Sequence, residues 1–195
     1  METFRVLSVD IGILNLAYCI VDFQRLPSDS FGFTLVHAEK ASIGSTRQST
    51  YELMENVIEF FKNAEPIQSS TRDIDTVFVE RQLTRATKNN ILAFVVMTYF
   101  RSYRKHETRF HTSFVHPLKK FDAVKHVFQT SAPVKEVNFK RTGTKELKKL
   151  SIELAKLIFD HFQCTVGLRA MEEYHPKTDD ICDAFLQSFI FLFRQ

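Results

Sequence analysis

The order of apolar and polar positions along the chain predicts a sheet with helices packed on its faces. Runs rich in β-branched and aromatic residues predict five strands, over residues 4–9, 16–22, 33–37, 76–80 and 110–115. Apolar residues at helical spacing predict helices over about 48–63, 88–104 and 147–158, and a last helix that begins near Asp179. The first three strands should form an antiparallel meander, and the order as a whole indicates an α/β fold with a mixed sheet flanked by helices.

The predicted helix over residues 88–104 is apolar on nearly all of its sides, which is typical of a helix in a core or in a dimer interface. We therefore expect it to be the least exposed helix of the fold. Pro66 predicts the end of the first helix, because proline interrupts helical hydrogen bonding. Residues 135–144 are predicted to form a loop, and residues 172–177 a polar linker before the last helix.

The composition is that of one folded domain spanning residues 1–195. With 44% hydrophobic and 25% charged residues, the chain is long enough to bury a core of its own. Its apolar runs all fall short of the roughly 20 residues that a membrane span needs. The three cysteines lack CxxC spacing, and the N-terminal region lacks the basic-then-apolar pattern of a secretion signal. These features predict a soluble intracellular protein that does not bind a membrane.

The net charge of +3 is distributed unevenly along the chain. Residues 101–149 contain thirteen lysines and arginines against four acids, so this segment carries +9 and the rest of the chain −6. Such a concentration predicts either a solvated helical surface or a face that binds a polyanion. Under the second interpretation, Lys119 and Lys120 of this segment are expected to contact DNA.

Four carboxylates stand where a metal site is expected. Asp10 and Glu80 each end an apolar strand, and Asp180 and Asp183 share one face of the last helix. If the two strands are neighbours and the helix crosses their ends, the four acids converge and need a cation to offset their repulsion. Oxygen ligands suit Mg²⁺ or Mn²⁺, and two such ions hydrolyse phosphodiesters. Alone, an aspartate in the position of Asp10 is more often a turn or cap residue, and Asp179 and Asp180 could simply be favourable charges at a helix N-terminus.

Three segments resemble one known family, the RuvC-type Holliday junction resolvases, in the branch found in poxviruses, other large DNA viruses and fungal mitochondria. The segments are VDIGILNLAYCIVD at 9–22, VFVERQ at 77–82 and DDICDAFLQS at 179–188. The resemblance runs in order over most of the chain. It implies an RNase H-like fold with a five-stranded mixed sheet, a homodimer, and paired nicks in four-way DNA junctions with Mg²⁺, for which Mn²⁺ can substitute. A nucleotide cofactor is not implied.

The resemblance also assigns roles to single residues. It identifies Asp10, Glu80, Asp180 and Asp183 as the catalytic and metal-binding acids, with Asp179 as a neighbouring extra. The segment after Glu80 resembles the family's loop that enters the junction, which implies that Leu83 is a wedge and that Arg85 and Lys88 touch phosphates. An isolated leucine after a strand is, however, more often a packing residue. The family cluster of basic residues falls at Lys145, Lys148 and Lys149. Leu14 departs from the pattern, since viral and mitochondrial relatives carry lysine there.

Other functions fit parts of the sequence. Actin-like sugar kinases also begin with strand-Asp-x-Gly, but the turn after Asp10 lacks the Thr and Ser donors that hold phosphate. An RNase H-like protein that binds nucleic acid without cutting it should have lost a carboxylate, and this chain keeps all four. A nuclease for other branched DNA or for RNA/DNA hybrids remains an alternative. The missing presequence favours a site of viral or nuclear DNA replication, in the host cytoplasm if the protein is poxvirus-like, over the mitochondrion.

Overall fold

Five strands form one sheet at the centre of the computed structural model, which describes residues 2–26, 31–70, 74–82, 85–103, 110–128, 134 and 143–193. The strands are β1 (Thr3–Asp10), β2 (Leu16–Arg25), β3 (Phe31–Ala41), β4 (Ile74–Glu80) and β5 (His111–Val115). Their order in the sheet is β3-β2-β1-β4-β5. The first three strands pair antiparallel, whereas β4 pairs parallel with both β1 and β5. The predicted meander and mixed five-stranded sheet are both confirmed.

Eight helices lie in the described ranges. They are α1 (Thr50–Asn63), α2 (Glu65–Ser70), α3 (Thr87–Tyr103), α4 (Lys119–Val127), α5 (Thr144–His161), α6 (Thr165–Glu173), α7 (Asp179–Ser188) and α8 (Ile190–Phe193). The apolar pattern predicted α1, α3, α5 and α7, and it missed the four short helices. Helix α1 ends at Asn63, before Pro66 as predicted, and Pro66 itself lies in the first turn of α2, where a missing backbone N–H breaks no helical bond. The linker predicted from residue 172 is wrong at its start, since α6 continues to Glu173.

Helices cover both faces of the sheet, so its central strands are buried on both sides. In β2, Ala17, Cys19 and Val21 belong to the core beneath α4, α5 and α7, whereas Tyr18 and Ile20 belong to the core beneath α1 and α3. The parallel pair of β1 and β4 lies in the middle of this arrangement. A sheet covered on both faces reads as nearly continuous apolar runs, as these strands do.

The expectation that α3 is the least exposed helix is wrong. Phe94 of α3 is 62% exposed, whereas seven of the ten residues of α7 are buried. The difference arises from position, because α7 packs against the sheet on one side and against α4 and α5 on the others. An apolar helix surface thus does not show by itself which helix the fold encloses.

A β-bulge in β3 changes which side chains face α7. Ile20 pairs with His37 and Val21 pairs with Leu35, so Val36 is the extra residue. Leu35 therefore faces the core beneath α7, while His37 lies on the opposite face beside Tyr18. Past the bulge the alternation is reversed, and this reversal brings Lys40 to the α7 side of the sheet, where it reaches Asp180.

In the described part of the chain, no helix combines the length and the apolar character that crossing a lipid bilayer requires.

Candidate metal centre

Two strand ends and one helix bring three carboxylates together. Strands β1 and β4 are parallel neighbours with Val9 opposite Val79, so the next residues, Asp10 and Glu80, leave the sheet at the same edge. Helix α7 packs across β1 and β4, and Asp183 lies one turn into it. One oxygen atom from each of Asp10, Glu80 and Asp183 lies within 4.8 Å of the other two. The convergence expected from the sequence therefore occurs for three of the four acids.

Asp180 lies outside this group of three. Its Oδ2 atom is 3.3 Å from the ammonium nitrogen of Lys40, which also donates a hydrogen bond of 2.7 Å to the carbonyl of Lys177. Lys40 thus ties strand β3 to the start of α7 and holds the Asp180 carboxylate. Asp179 accepts a hydrogen bond from Lys148 of α5. A role of Asp180 in metal binding stays a prediction.

Lys120 lies inside the carboxylate group and not on the exposed basic surface where the sequence analysis put it. Its side chain is only 5% exposed, and its ammonium nitrogen is 2.6 Å from Asp183 Oδ1 and 3.5 Å from Glu80 Oε2. Helix α4 positions it, because Lys120 lies on the side of α4 that also buries Phe121 and Val124. The short apolar row of this helix is only a weak signal in the sequence for the burial of Lys120.

The charges of the group shift one another's protonation. Burial, together with the charges of Glu80 and Asp183, raises the pKa of Asp10 well above its ordinary value. Burial also raises the pKa of Glu80, although the Lys120 ammonium acts in the opposite direction. Burial acts to lower the pKa of Lys120, but the charges of Asp183 and Glu80 outweigh it and raise that pKa. The centre therefore carries more negative charge than its one buried lysine compensates.

A divalent cation fits these residues. Glu80 Oε2 and Asp183 Oδ1 are buried, and apart from the Lys120 ammonium, at 3.5 and 2.6 Å, neither has a hydrogen-bond partner among the described residues. Buried carboxylate oxygens without hydrogen bonds are unfavourable unless a cation approaches them. The donor set consists of carboxylate oxygens alone, which is the set that Mg²⁺ and Mn²⁺ prefer. Asp10, Glu80 and Asp183 are the residues that would hold such an ion.

Gln187 ties α7 to both strands just before their acidic ends. Its side-chain amide nitrogen donates to the backbone carbonyls of Val9, at 3.3 Å, and of Phe78, at 3.4 Å. The side chain is buried and lies one turn after Asp183 on the same helical face. Gln187 is not among the residues predicted for the site, although a glutamine among the apolar residues of a helix predicts a buried hydrogen bond.

Comparison with known proteins shows that this arrangement of strands and helices has been seen before. Neither the models of protein families nor the curated proteins match the chain. The structure is similar to that of the yeast mitochondrial Holliday junction resolvase Ydc2, with a TM-score of 0.62 and 13% sequence identity, over 95% of this chain and 78% of Ydc2. It is also similar to RuvC of Thermus thermophilus, with a TM-score of 0.61 and 14% identity, over 97% of this chain and 94% of RuvC. The chain has an RNase H-like fold of the RuvC type.

A further structure with this RuvC-type fold contains DNA. T. thermophilus RuvC in complex with a Holliday junction substrate matches with a TM-score of 0.58 and 12% identity, over 97% of this chain and 94% of that one. The matches extend over nearly the whole chain, so the prediction of an RNase H-like fold is confirmed.

The residues expected to contact DNA differ from one another in exposure and in the partners of their side chains. Leu83 lies outside the described residues, and Arg85 is exposed. Lys88 uses two of its donors on the carbonyls of Thr46 and Gln48, at 2.9 and 2.6 Å. Leu14, which stands in place of the family lysine, is 55% exposed. Of the lysines expected to contact DNA, Lys119 on α4 and Lys145, Lys148 and Lys149 on α5 are exposed.

Proposed function

We propose that the protein is a divalent-metal-dependent endonuclease that resolves four-way DNA junctions. The observation that carries the proposal is the convergence of Asp10, Glu80 and Asp183 at the edge of a RuvC-type sheet. Both the yeast and the T. thermophilus proteins with this fold are Holliday junction resolvases or bind such a junction. The three acids of this chain come from the same segments that resemble the resolvase family in sequence.

The residues of the centre have separate tasks in this reaction. Asp10, Glu80 and Asp183 would hold Mg²⁺, or Mn²⁺ in its place, and Asp180 would complete the set if a second ion binds. A metal held there would supply activation of water and stabilisation of the leaving 3′ oxygen. Gln187 keeps α7 in register with β1 and β4, so that the acid on the helix faces the acids on the strands.

Exposed lysines next to the centre would bind the DNA backbone. Lys148 contacts Asp179 at the start of α7, which places the N-terminal part of α5 beside the carboxylates. Lys145 and Lys149 are exposed on the same helix, and Lys119 is exposed on α4 next to Lys120. Phosphate contacts of this kind position DNA without reading its sequence. Arg85, Lys88 and the wedge role of Leu83 belong to the same proposal.

We infer that the active form is a homodimer, because paired nicks need two active sites. The exposed Phe94 of α3, whose ring centroid is 4.9 Å from that of Phe114, supplies an apolar surface of the kind that protein interfaces use. Membership of the poxvirus, large DNA virus and fungal mitochondrial branch is part of the same inference. A location at sites of viral or nuclear DNA replication belongs to the same inference, whereas the yeast neighbour is a mitochondrial protein.

Cutting of a synthetic four-way junction tests the proposal. Purified protein with Mg²⁺ or Mn²⁺ should convert the junction into nicked duplexes and leave linear duplex largely intact. Glu80→Gln should lower the cutting rate by on the order of a thousandfold while junction binding persists, since that factor corresponds to about 4 kcal/mol of lost transition-state stabilisation. Glu59→Gln, at an exposed acid of α1, is the matched control and should cut normally.

Two results would contradict the proposal. Equal cutting of an RNA/DNA hybrid would overturn the junction as substrate, and normal cutting by Glu80→Gln would overturn the assignment of the centre.

A further inference from the structure

Lys120 is an unusual residue for the position that it occupies. A lysine is rarely buried without partners, because moving an ammonium group out of water is unfavourable. Here the side chain is 5% exposed, and its charge faces Asp183 Oδ1 and Glu80 Oε2 at 2.6 and 3.5 Å. Its apolar surroundings include the ring of Phe121, whose centroid is 5.4 Å from the ammonium nitrogen. The site thus contains a cation that belongs to the chain.

The charges around Lys120 remain unbalanced. One ammonium faces three carboxylates, those of Asp10, Glu80 and Asp183, and the charges of all three raise its pKa. The fourth acid, Asp180, has a separate partner in Lys40. Lys120 therefore compensates part of the negative charge, which lets the acids stay together without a metal, but it leaves charge for a divalent ion to compensate.

The ammonium and a divalent ion would need the same atoms. Glu80 Oε2 and Asp183 Oδ1 are buried, and the group that reaches both of them in the described residues is the Lys120 ammonium, at 3.5 and 2.6 Å. Two cations that approach the same buried oxygens repel each other strongly, because the surroundings screen charge weakly.

We infer that Lys120 is a resident cation of the metal centre, whose ammonium holds Glu80 and Asp183 in the metal-free protein and releases them when a divalent ion binds. The inference rests on the proposed function only in taking these acids as metal ligands. The affinity of the wild-type protein for a divalent ion should then be reduced, because binding includes the free-energy cost of displacing the Lys120 ammonium. Removing that ammonium should make the ion bind more tightly.

Thermal unfolding of Lys120→Met over a range of Mn²⁺ concentrations tests the inference. In EDTA the variant should unfold at a lower temperature than wild type, because its carboxylates repel without compensation. Added Mn²⁺ should raise its unfolding temperature more than that of wild type, because an ion that binds only the folded state stabilises it by mass action. The fitted Kd for Mn²⁺ should be at least about tenfold lower than in wild type, because no ammonium has to be displaced. Lys125→Met, at an exposed lysine of the same helix, should match wild type. An equal Kd in Lys120→Met and wild type would overturn the inference.

Amine labelling of the wild-type protein supplies a second test that does not depend on a variant folding. In EDTA, an acylating reagent should modify Lys120 far more slowly than Lys125, as followed by peptide mass spectrometry. Mn²⁺ should accelerate the labelling of Lys120 and leave that of Lys125 unchanged. Labelling of Lys120 that Mn²⁺ does not accelerate would mean that the ammonium keeps its place, against the inference.

These outcomes separate the inference from the proposed function. If Mn²⁺ binds more tightly to Lys120→Met but the wild-type protein does not cut junctions, the junction is the wrong substrate and the resident cation stands. If junctions are cut but the two Kd values are equal, the resident cation falls and the nuclease stands.

Discussion

Replacing Gln187 by methionine tests how the fold holds Asp183 against the two strands. Methionine has nearly the shape of glutamine but cannot donate to the carbonyls of Val9 and Phe78. Both hydrogen bonds are long, at 3.3 and 3.4 Å, so their loss should cost at most about 1 to 2 kcal/mol in total. Gln187 Oε1 is buried and without a hydrogen-bond partner among the described residues, so removing this oxygen offsets a similar amount.

The free energy of unfolding should therefore change by about 1 kcal/mol or less, whereas activity should fall much further. A displacement of about 1 Å at a reacting group lowers the rate by about a hundredfold, and the Gln187 hydrogen bonds set where α7 lies on the sheet. We expect junction cutting under single-turnover conditions to slow by about ten- to a hundredfold. Urea unfolding gives the stability, and Mn²⁺ titration shows whether the acids still meet.

Ser188→Ala is the matched control, because Ser188 is the next buried residue and its hydroxyl donates to the carbonyl of Phe185 in the same helix, at 2.7 Å. This variant should lose about 1 kcal/mol of stability but cut at the wild-type rate, since no strand is involved. Wild-type cutting by Gln187→Met would refute the reasoning, because apolar packing alone would then hold α7.

The remaining predictions concern the charges of the centre. In EDTA, Asp10→Asn should be more stable than wild type, and the gap should widen as the pH rises from the ordinary pKa of an aspartate to the raised pKa of Asp10. The raised pKa of Asp10 makes the folded state bind a proton that the unfolded state has lost, so wild-type stability falls as pH rises through that pKa. Urea unfolding at each pH measures the gap, and a constant gap would contradict the assignment. Asp180→Asn should weaken Mn²⁺ binding a few-fold and Asp183→Asn at least about tenfold, as measured by equilibrium dialysis. Equal losses would mean that the two acids share the ion equally.

The sequence was sufficient for the carboxylates that sit at the ends of regular elements. Asp10 and Glu80 each follow an apolar strand, and parallel strands that are neighbours in the sheet end at the same edge. Asp183 follows Asp180 at helical spacing, which fixes the face but not the depth of each side chain. Local patterns therefore predicted which acids are near the edge of the sheet, and the fold decided which of them meet.

Two lysines could not be placed from the sequence, for different reasons. Lys40 reaches Asp180 because a β-bulge at Val36 reverses the alternation of β3, and a bulge of this kind has no clear pattern in an exposed edge strand. Lys120 is buried because α4 packs against α7 and α8. Its apolar residues form too short a row to stand out in a segment that is strongly basic.

Lys120 and Lys40 contact different acids of the centre, and these acids are held in place by different elements of the fold. Asp183 lies one turn inside the enclosed helix α7, with Lys120 against its carboxylate and the Gln187 amide tying the next turn to the strands. Asp180 lies in the first turn of α7 and is held by Lys40 from the edge strand β3. A change in the position of β3 therefore acts on Asp180 before it acts on Asp183. The core supports Asp10, Glu80 and Asp183, so a first metal ion should need only these three acids. Asp180 depends on one contact from the edge strand, so a second ion should bind only when the ion pair between Lys40 and Asp180 opens.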